Sequence, residues 1–417
     1  MRGNFFDIQV KVEKKVLSLL FLAFSISVFL TFVFMLAGKG DMGLTGYLKG
    51  ADYINFYAGG KIIVEGNSKK LYDETFFKNE LKKFPLTESQ LGSYPPSYSP
   101  PTYYLYSLFA FFDLNLSIFL SVIFFLIMYL ISISLLIFSF SSLKKYYFII
   151  ILLSPLFPPF FSVFLTGQPS ILWLFILSLS FYLYKKDFNF LSGAVLSLFI
   201  CKPNFYIVVF FTLILSFRFK EIIGFLSGTL FLALFFGIWD SFAVWNNWIS
   251  YSFDHYIFRI QNDSSLLERR HTTKSFFQFF YQKEPVLTLL GNIGSIVGSL
   301  TLFFPSLYIF LNKNKYSKEI FFSIFSISAV LANPHILDYD LVILALPAMF
   351  FLDLLISKNI PVKKIIGFYC ALFLIPVFFT LVSGFTKFQF SVVLMWGIII
   401  FLTFCRIPSN FYFSKRH

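Results

Sequence analysis

The sequence predicts an all-α polytopic membrane protein, and three observations predict it. Hydrophobic residues fill 57% of the 417 positions and charged residues only 13%, where a soluble domain carries roughly 25% charged residues. Apolar runs long enough to approach or reach the roughly 20 residues of a bilayer crossing recur along the whole chain. The Lys and Arg of the short connections recur in every second connection, so that they share one side, as the excess of cations in cytoplasmic loops requires.

About twelve spans can be placed by length and apolarity, near 16–37, 114–140, 147–165, 169–184, 188–201, 204–217, 222–239, 286–311, 319–332, 341–357, 365–384 and 389–405. The first follows a basic stretch with Lys11, Lys14 and Lys15. It is longer than the apolar core of a signal peptide and lacks an A-x-A cleavage site, so it reads as a retained span. With the N-terminus inside, Lys144/Lys145, Lys185/Lys186, Arg218/Lys220, Lys313/Lys315/Lys318, Lys358/Lys363/Lys364 and Arg406/Lys415/Arg416 all land in the cytoplasm. Both termini are therefore expected inside, with the protein in the cytoplasmic (inner) membrane. Reading 188–217 as one long span would invert the second half and move Lys313 to Lys318 outside, against the same rule.

Composition narrows the function classes. The net charge of +13 would suggest nucleic acid in a soluble chain, but in a membrane protein the side on which each charge lies decides its meaning, and no nucleic-acid partner is expected. The 64 Phe suit lipid-facing and acyl-chain-facing surfaces. Cys201, Cys370 and Cys405 lie in or beside apolar runs; they have neither the even pairing of a disulfide framework nor ligand spacing. No H-E-x-x-H, G-x-S-x-G or Gly-rich phosphate loop occurs, so metal-dependent and serine-hydrolase chemistry have no support, and no metal or cofactor is expected.

One integral membrane domain covers 1–417, interrupted by two segments too polar to span, 38–101 and 240–285, both on the outer side. A channel or transporter distributes polar groups within its helices, whereas an enzyme acting on lipid-linked substrates gathers them in loops at one surface. In the first loop Ala51 to Glu65 reads as a helix closed by Gly66-Asn67, and Asp52, Asn55 and Gly59 share one face. Asp52 is open to two readings, a general base made more basic by desolvation or an acid that merely complements the helix dipole. Tyr94 to Pro101 is a proline-stiffened approach to the membrane, and Tyr98 contacts either a sugar or lipid head group or the bilayer interface.

The second loop carries Trp245, Trp248, His255, Arg259, Arg269, Arg270, His271 and Lys274. Cations on the outer face suggest an anionic group such as a lipid phosphate, and ordinary attraction to anionic membrane lipids is the other reading. Lys202, between two short apolar runs, is a functional candidate because burying it is unfavourable, unless it snorkels to the interface. In the turn Asn333 to Asp340, His335 could protonate or hydrogen-bond a departing phosphate with Asp338 orienting it; a satisfied polar hairpin is the alternative. Asp338-x-Asp340 is similar to the acidic pair that holds a metal and a nucleotide-sugar in soluble glycosyltransferases, but that chemistry needs a nucleotide-binding α/β domain for which there is no pattern.

Four segments taken in order resemble glycosyltransferase family 87. They are Asp52 with Phe56-Tyr57-Ala58-Gly59-Gly60, Glu65-Gly66 and Leu71-Tyr72-Asp73; Tyr98-x-Pro100-Pro101; Gly167-Gln168 and Lys202-Pro203; and Pro334 through Asp338-Tyr339-Asp340. The resemblance implies a GT-C-like fold with a large first extracytoplasmic loop. It implies an inverting transfer of a mannose-like hexose or a pentose from a polyprenyl-phosphate sugar to a lipid- or glycan-linked acceptor. Asp52 is then the general base, His335 a second catalytic group, and Lys202, Arg259, Arg269 and Arg270 hold the donor phosphate. Asn55, Tyr57, Tyr98, Gln168, Asp338 and Asp340 complete the substrate-binding set. The sequence departs from the pattern at Ser170, where an Asn often follows the Gly-Gln turn, and around Lys202-Pro203, where residues are bulkier, so the sugar is not fixed. A transporter or flippase for a lipid-linked glycan is the rival reading; it predicts inverted repeats and polar residues along several spans, and neither is evident.

Overall fold

The computed structural model describes residues 50, 52–91, 94–255, 269–280, 286–312, 316–358, 360 and 388–404, with scattered positions in 19–43 and 382–386. The expected spans 16–37 and 365–384, Cys370, Cys405 and Arg259 lie wholly or largely outside them. The described chain is helical apart from one pair of two-residue strands, Gly38–Lys39 and Met42–Gly43.

The helices in order are α1 Tyr53–Val64, α2 Glu74–Leu81, α3 Pro100–Ala110, α4 Leu114–Ser139, α5 Tyr147–Leu153, α6 Pro158–Thr166, α7 Ser170–Lys185 and α8 Asn189–Leu196. They continue as α9 Pro203–Leu215, α10 Phe219–Phe236, α11 Phe242–His255, α12 Thr273–Phe280, α13 Val286–Leu311, α14 Lys318–Ala332, α15 Ala345–Ser357 and α16 Phe390–Phe404. Their ends carry the expected local chemistry. Asp73 and Asp113 accept backbone N–H bonds at the starts of α2 and α4, prolines open α3, α6 and α9, and Gly66 follows α1 with φ +75°.

Among the described residues four helical stretches are long and apolar enough to cross a membrane: Leu114–Ser139, Phe219–Phe253, Thr288–Leu311 and Asp338–Ser357. Lys144–Leu156 and Pro158–Thr166 make a fifth if they are taken as one span bent by 52°. Several of the twelve runs are therefore shorter helices, such as Ser170–Lys185, Asn189–Cys201 and Pro203–Leu215. The cause is local. Proline cannot continue a helix from the preceding turn, and Pro158-Pro159 and Pro203 each stop one helix and open the next.

The second polar segment differs from expectation. Rather than beginning a loop at Asp240, the chain runs on through a π-helical turn, Gly237–Ser241, into α11, giving a continuous helix of 35 residues. At 1.5 Å per residue it is about 52 Å long, well beyond the ~30 Å of a hydrocarbon core. One end therefore projects past the membrane, and α11 is that polar end.

Small residues set the closest helix contact. A Cβ on Gly193 of α8 would lie 1.9 Å from the Glu221 carbonyl oxygen of α10, and one on Gly224 would lie 1.9 Å from that of Phe190. The two glycines let the helices touch backbone to backbone, as small-residue pairs do in membranes. Gly193→Ala and Gly224→Ala should each destabilise the protein by about 1–3 kcal/mol or more, since backbone rather than a movable side chain must shift. Thermal unfolding in detergent, with Gly397→Ala as a control at a site open on all sides, checks this.

Candidate active site

Gly167 ends α6 in the left-handed conformation, φ +69°. A Cβ there would meet the Gly50 carbonyl oxygen at 2.5 Å and Tyr53 Cβ at 2.7 Å, so glycine is needed both for its backbone angle and for the close approach to the start of α1. The approach is locked by the Asp52 N–H, which donates to the Thr166 carbonyl at 2.9 Å. Gln168, the next residue after the turn, is thereby set beside Asp52.

Asp52 occupies the cap position of α1, yet its carboxylate takes no cap hydrogen bond. It accepts instead from Gln168 Nε2 at 2.7 Å, and Gln168 Oε1 accepts from the Tyr98 hydroxyl at 3.0 Å. Tyr98 packs edge-on against Phe56, with centroids 4.8 Å apart, and its carbonyl accepts from the Tyr72 hydroxyl at 2.8 Å. The proline-stiffened segment is thus clamped inside the protein, and the reading of Tyr98 as an interfacial anchor is replaced by this relay.

Burial raises the Asp52 carboxyl above its ordinary value, while the Gln168 hydrogen bond and the Arg269 charge pull the other way. Burial and the Asp52 charge together push the Tyr94 hydroxyl up to about 12. If Asp52 must be ionised to act, activity should rise with pH along an acid limb lying above the usual carboxylate range. Gln168→Leu, which removes a group favouring the ionised form, should move that limb to still higher pH. A pH–rate profile of both proteins measures the shift.

The remaining candidates separate into two groups. Lys202, buried between α8 and α9, donates to Asp340 Oδ2 at 2.5 Å, and Ser170 Oγ donates to Asp340 Oδ1 at 2.8 Å. The Lys202 ammonium also lies 5.4 Å from the Phe205 ring centroid and 5.8 Å from that of Tyr339, so it does not snorkel to an interface. Asp338 accepts from Arg269 Nε at 2.8 Å and pairs with His271 Nε2 at 2.7 Å, while His271 Nδ1 meets Ser391 Oγ at 2.8 Å. The Asp338 contacts thus run to the cationic loop. The two acids of the Asp-x-Asp turn point to different cations, one on each side.

Arg270 is buried and bridges Leu337 through its backbone; His335 is half-buried, its N–H donating to Asn333 Oδ1 at 3.1 Å. Asn55 Nδ2 donates to the Pro95 carbonyl at 3.2 Å, and its Oδ1 is buried with no partner among the described residues. The Tyr57 hydroxyl donates to the Phe112 carbonyl at 2.8 Å, tying α1 to the end of α3. Gly59, expected on the Asp52 face, receives the Tyr103 ring, which a Cβ would strike at 2.1 Å.

His271, Ser170 and Ser391 belong to the cluster and were not singled out as site residues by their sequence pattern. For His271 a signal existed. Arg269 to Ser275 is an unbroken polar run, and from Arg270 onward all of it is buried; a cationic run facing an Asp-x-Asp turn invites pairing.

The family model for glycosyltransferase family 87 matches residues 97–334. The chain belongs to glycosyltransferase family 87. That membership makes it a membrane glycosyltransferase, in keeping with its apolar helices. The family 87 match takes in Tyr98, Gln168, Lys202, Arg269 and Arg270 and stops just short of His335, Asp338 and Asp340; Asp52, Asn55 and Tyr57 precede it. No curated protein and no solved structure matches the chain.

Proposed function

We propose that this family 87 protein moves a sugar, a mannose-like hexose or a pentose, from a polyprenyl-phosphate donor to a lipid- or glycan-linked acceptor. The transfer takes place at the outer face of the cytoplasmic membrane and inverts the anomeric centre. The observation that carries the reading is the Asp52 carboxylate, turned away from its own helix terminus, raised in basicity by burial, and aimed by Gln168 and Tyr98.

In this mechanism the acceptor hydroxyl gives its proton to Asp52 as its oxygen bonds to the anomeric carbon. The bond from that carbon to the phosphate oxygen breaks, and the electron pair leaves with polyprenyl phosphate. Arg269 and Lys202 are each paired with an acid, Asp338 and Asp340, but the Arg269 side chain is the more exposed, 35% against 9%, and its charge reaches Asp52, so it becomes the first choice for the departing phosphate. Lys202, whose charge is matched by Asp340, is assigned to holding the turn that carries Asp338 and, through it, Arg269. Arg259, His335 and Asn55 remain candidates for contacts to phosphate and sugar.

The charges at the far end of the helices support the outer location. Gln168 precedes α7 and Lys185 ends it, about 24 Å away for sixteen residues. At that far end Lys185 pairs with Glu319, Lys318 with Asp187, and Arg218 with Glu221, a belt of ion-paired Lys and Arg, the residue types that short cytoplasmic connections favour. The test is to supply membranes with a polyprenyl-phosphate sugar labelled in the sugar. Label in a new glycosidic product supports the reading; label that crosses the bilayer with its phosphodiester intact would favour a flippase instead.

A further inference from the structure

A hydrogen-bonded chain of side chains runs inward from the open edge of the site to α16. Along it the side-chain exposure falls from 35% at Arg269 to 22% at Asp338 and 3% at His271. Asp338 commits its two oxygens separately, Oδ2 to Arg269 Nε at 2.8 Å and Oδ1 to His271 Nε2 at 2.7 Å. His271 Nδ1 meets Ser391 Oγ at 2.8 Å, and Ser391 stands in the first turn of α16. An ionised carboxylate only accepts, so His271 Nε2 carries a proton, and in the neutral ring Nδ1 accepts from the Ser391 hydroxyl.

The surrounding contacts hold the same register. The His271 N–H donates to the Ile336 carbonyl at 3.0 Å, and Arg270 bridges Leu337. The start of α16 grips the loop again one turn further on, where Ser275 Oγ donates to Gln389 Oε1 at 3.2 Å. The Phe276 ring lies 5.5 Å from Phe388 and 5.0 Å from Trp396.

One edge of Arg269 is left uncommitted by this arrangement. Among the described residues its guanidinium is hydrogen-bonded through Nε alone, so the two Nη groups are free to meet a phosphate, which a guanidinium matches with two parallel bonds. The terminal torsion of an aspartate is broad, and a carboxylate gripped at Oδ2 alone could turn and take the guanidinium with it. The imidazole on Oδ1 removes that freedom. Burying an imidazole is unfavourable unless its nitrogens are bonded, and both ring nitrogens of His271 are.

We infer that His271 and Ser391 are positioning residues for the donor phosphate: they fix the Asp338 carboxylate, which aims Arg269, and α16 thereby becomes a working part of the site. The inference rests on the assignment of Arg269 to a polyprenyl phosphate. Asp338 and Ser391 lie beyond residues 97–334, so the family match gives neither of them a role.

The test is equilibrium dialysis of the full-length protein in phosphatidylcholine nanodiscs against radiolabelled citronellyl phosphate, a short polyprenyl phosphate, with citronellol as its uncharged counterpart. His271→Phe removes both imidazole bonds, His271→Gln keeps an N–H for Asp338, and Ser391→Ala removes one hydroxyl. Citronellyl phosphate binding should weaken about threefold in Ser391→Ala and about tenfold in His271→Phe, the scales of a neutral hydrogen bond and of one to a charged group. Citronellol binding should not change, and His271→Gln should recover most of the loss. A double-mutant cycle separates positioning from packing. Beside Arg269→Gln, neither His271→Phe nor Ser391→Ala should weaken phosphate binding further, because the group they aim is gone, whereas a packing role would weaken it equally in both backgrounds. If His271→Phe does not fold, Ser391→Ala decides the cycle by itself. Wild-type binding in Ser391→Ala and His271→Phe, losses undiminished beside Arg269→Gln, or a wild-type protein that binds the phosphate no better than citronellol overturns the inference. A protein that holds the phosphate through this relay yet transfers no labelled sugar upholds the relay and overturns the transfer reading alone.

Discussion

Asp52→Asn is expected to lower sugar transfer by about 10²–10⁴-fold, the usual contribution of a positioned general base, while leaving the fold intact. Asparagine keeps a carbonyl oxygen for Gln168 Nε2 to donate to, so the relay to Tyr98 can persist. The effect on stability has a definite sign. The folded-state pKa of Asp52 is raised, so the folded protein holds the proton more tightly than the unfolded chain. Stability from this group is therefore lost as pH rises from the unfolded pKa through the folded one. Asparagine cannot ionise, and the variant should match or exceed the wild type in thermal stability at neutral pH. The check is transfer from a polyprenyl-phosphate sugar measured beside an unfolding curve. Near-wild-type turnover would remove Asp52 from the mechanism, and lost turnover with a collapsed melting temperature would assign it to folding.

Much of the fold could be read from the sequence because apolar length and proline position act locally. The expected breaks near 166–169 and at Lys202-Pro203 are breaks in the structure, and the helix expected from Ala51 to Glu65 is α1. The continuation of α10 into α11 was not legible. Asp240 reads as the end of an apolar run, whereas it sits inside a helix and its carboxylate accepts from the Tyr104 hydroxyl of α3, a partner 136 residues away in sequence. The site divides the same way. Asp52, Gln168, Tyr98, Lys202 and Asp340 stand out as polar residues in apolar surroundings or at turns, and each is held in the cluster. Their pairing is long-range: sequence pattern set Asp338 beside His335, and the structure adds Arg269 and His271 on its carboxylate. It also presented Lys202 as a bare cation, when the buried carboxylate that balances it lies 138 residues further on.

The same pairing changes the meaning of the positive surplus. Lys185, Arg218 and Lys318 are expected on one side of the membrane, and each is also paired: Lys185 reaches Glu319 of α14 and Lys318 reaches Asp187 after α7, joining two segments, while Arg218 folds back on Glu221 of the adjacent helix α10. The Arg218 guanidinium also lies 3.7 Å from the Phe321 ring centroid, a cation–π contact that stitches α10 to α14. The cations that the sequence sets on one expected side of the membrane thus also hold the packing of α7, α10 and α14.

Asp340→Leu should be among the most destabilising single changes in the protein. It would leave the Lys202 ammonium buried, 7% exposed, with its carboxylate removed. Removing one partner of a buried pair typically costs about 3–5 kcal/mol, because the remaining charge is neither hydrated nor neutralised. Lys202→Met should cost a similar amount, since Asp340, 1% exposed, would keep only the Ser170 hydroxyl. The double variant Lys202→Met/Asp340→Leu removes both charges and should recover most of the lost stability, since a hydrophobic replacement of a buried pair is often neutral. Unfolding in detergent across this double-mutant cycle measures the coupling. Activity then discriminates between two roles for Lys202. If it only fixes the turn that carries Asp338 and Arg269, the stable double variant should retain transfer with a modestly altered KM for donor. If the ammonium leaves Asp340 to meet the donor phosphate during the reaction, the double variant should be folded and inactive.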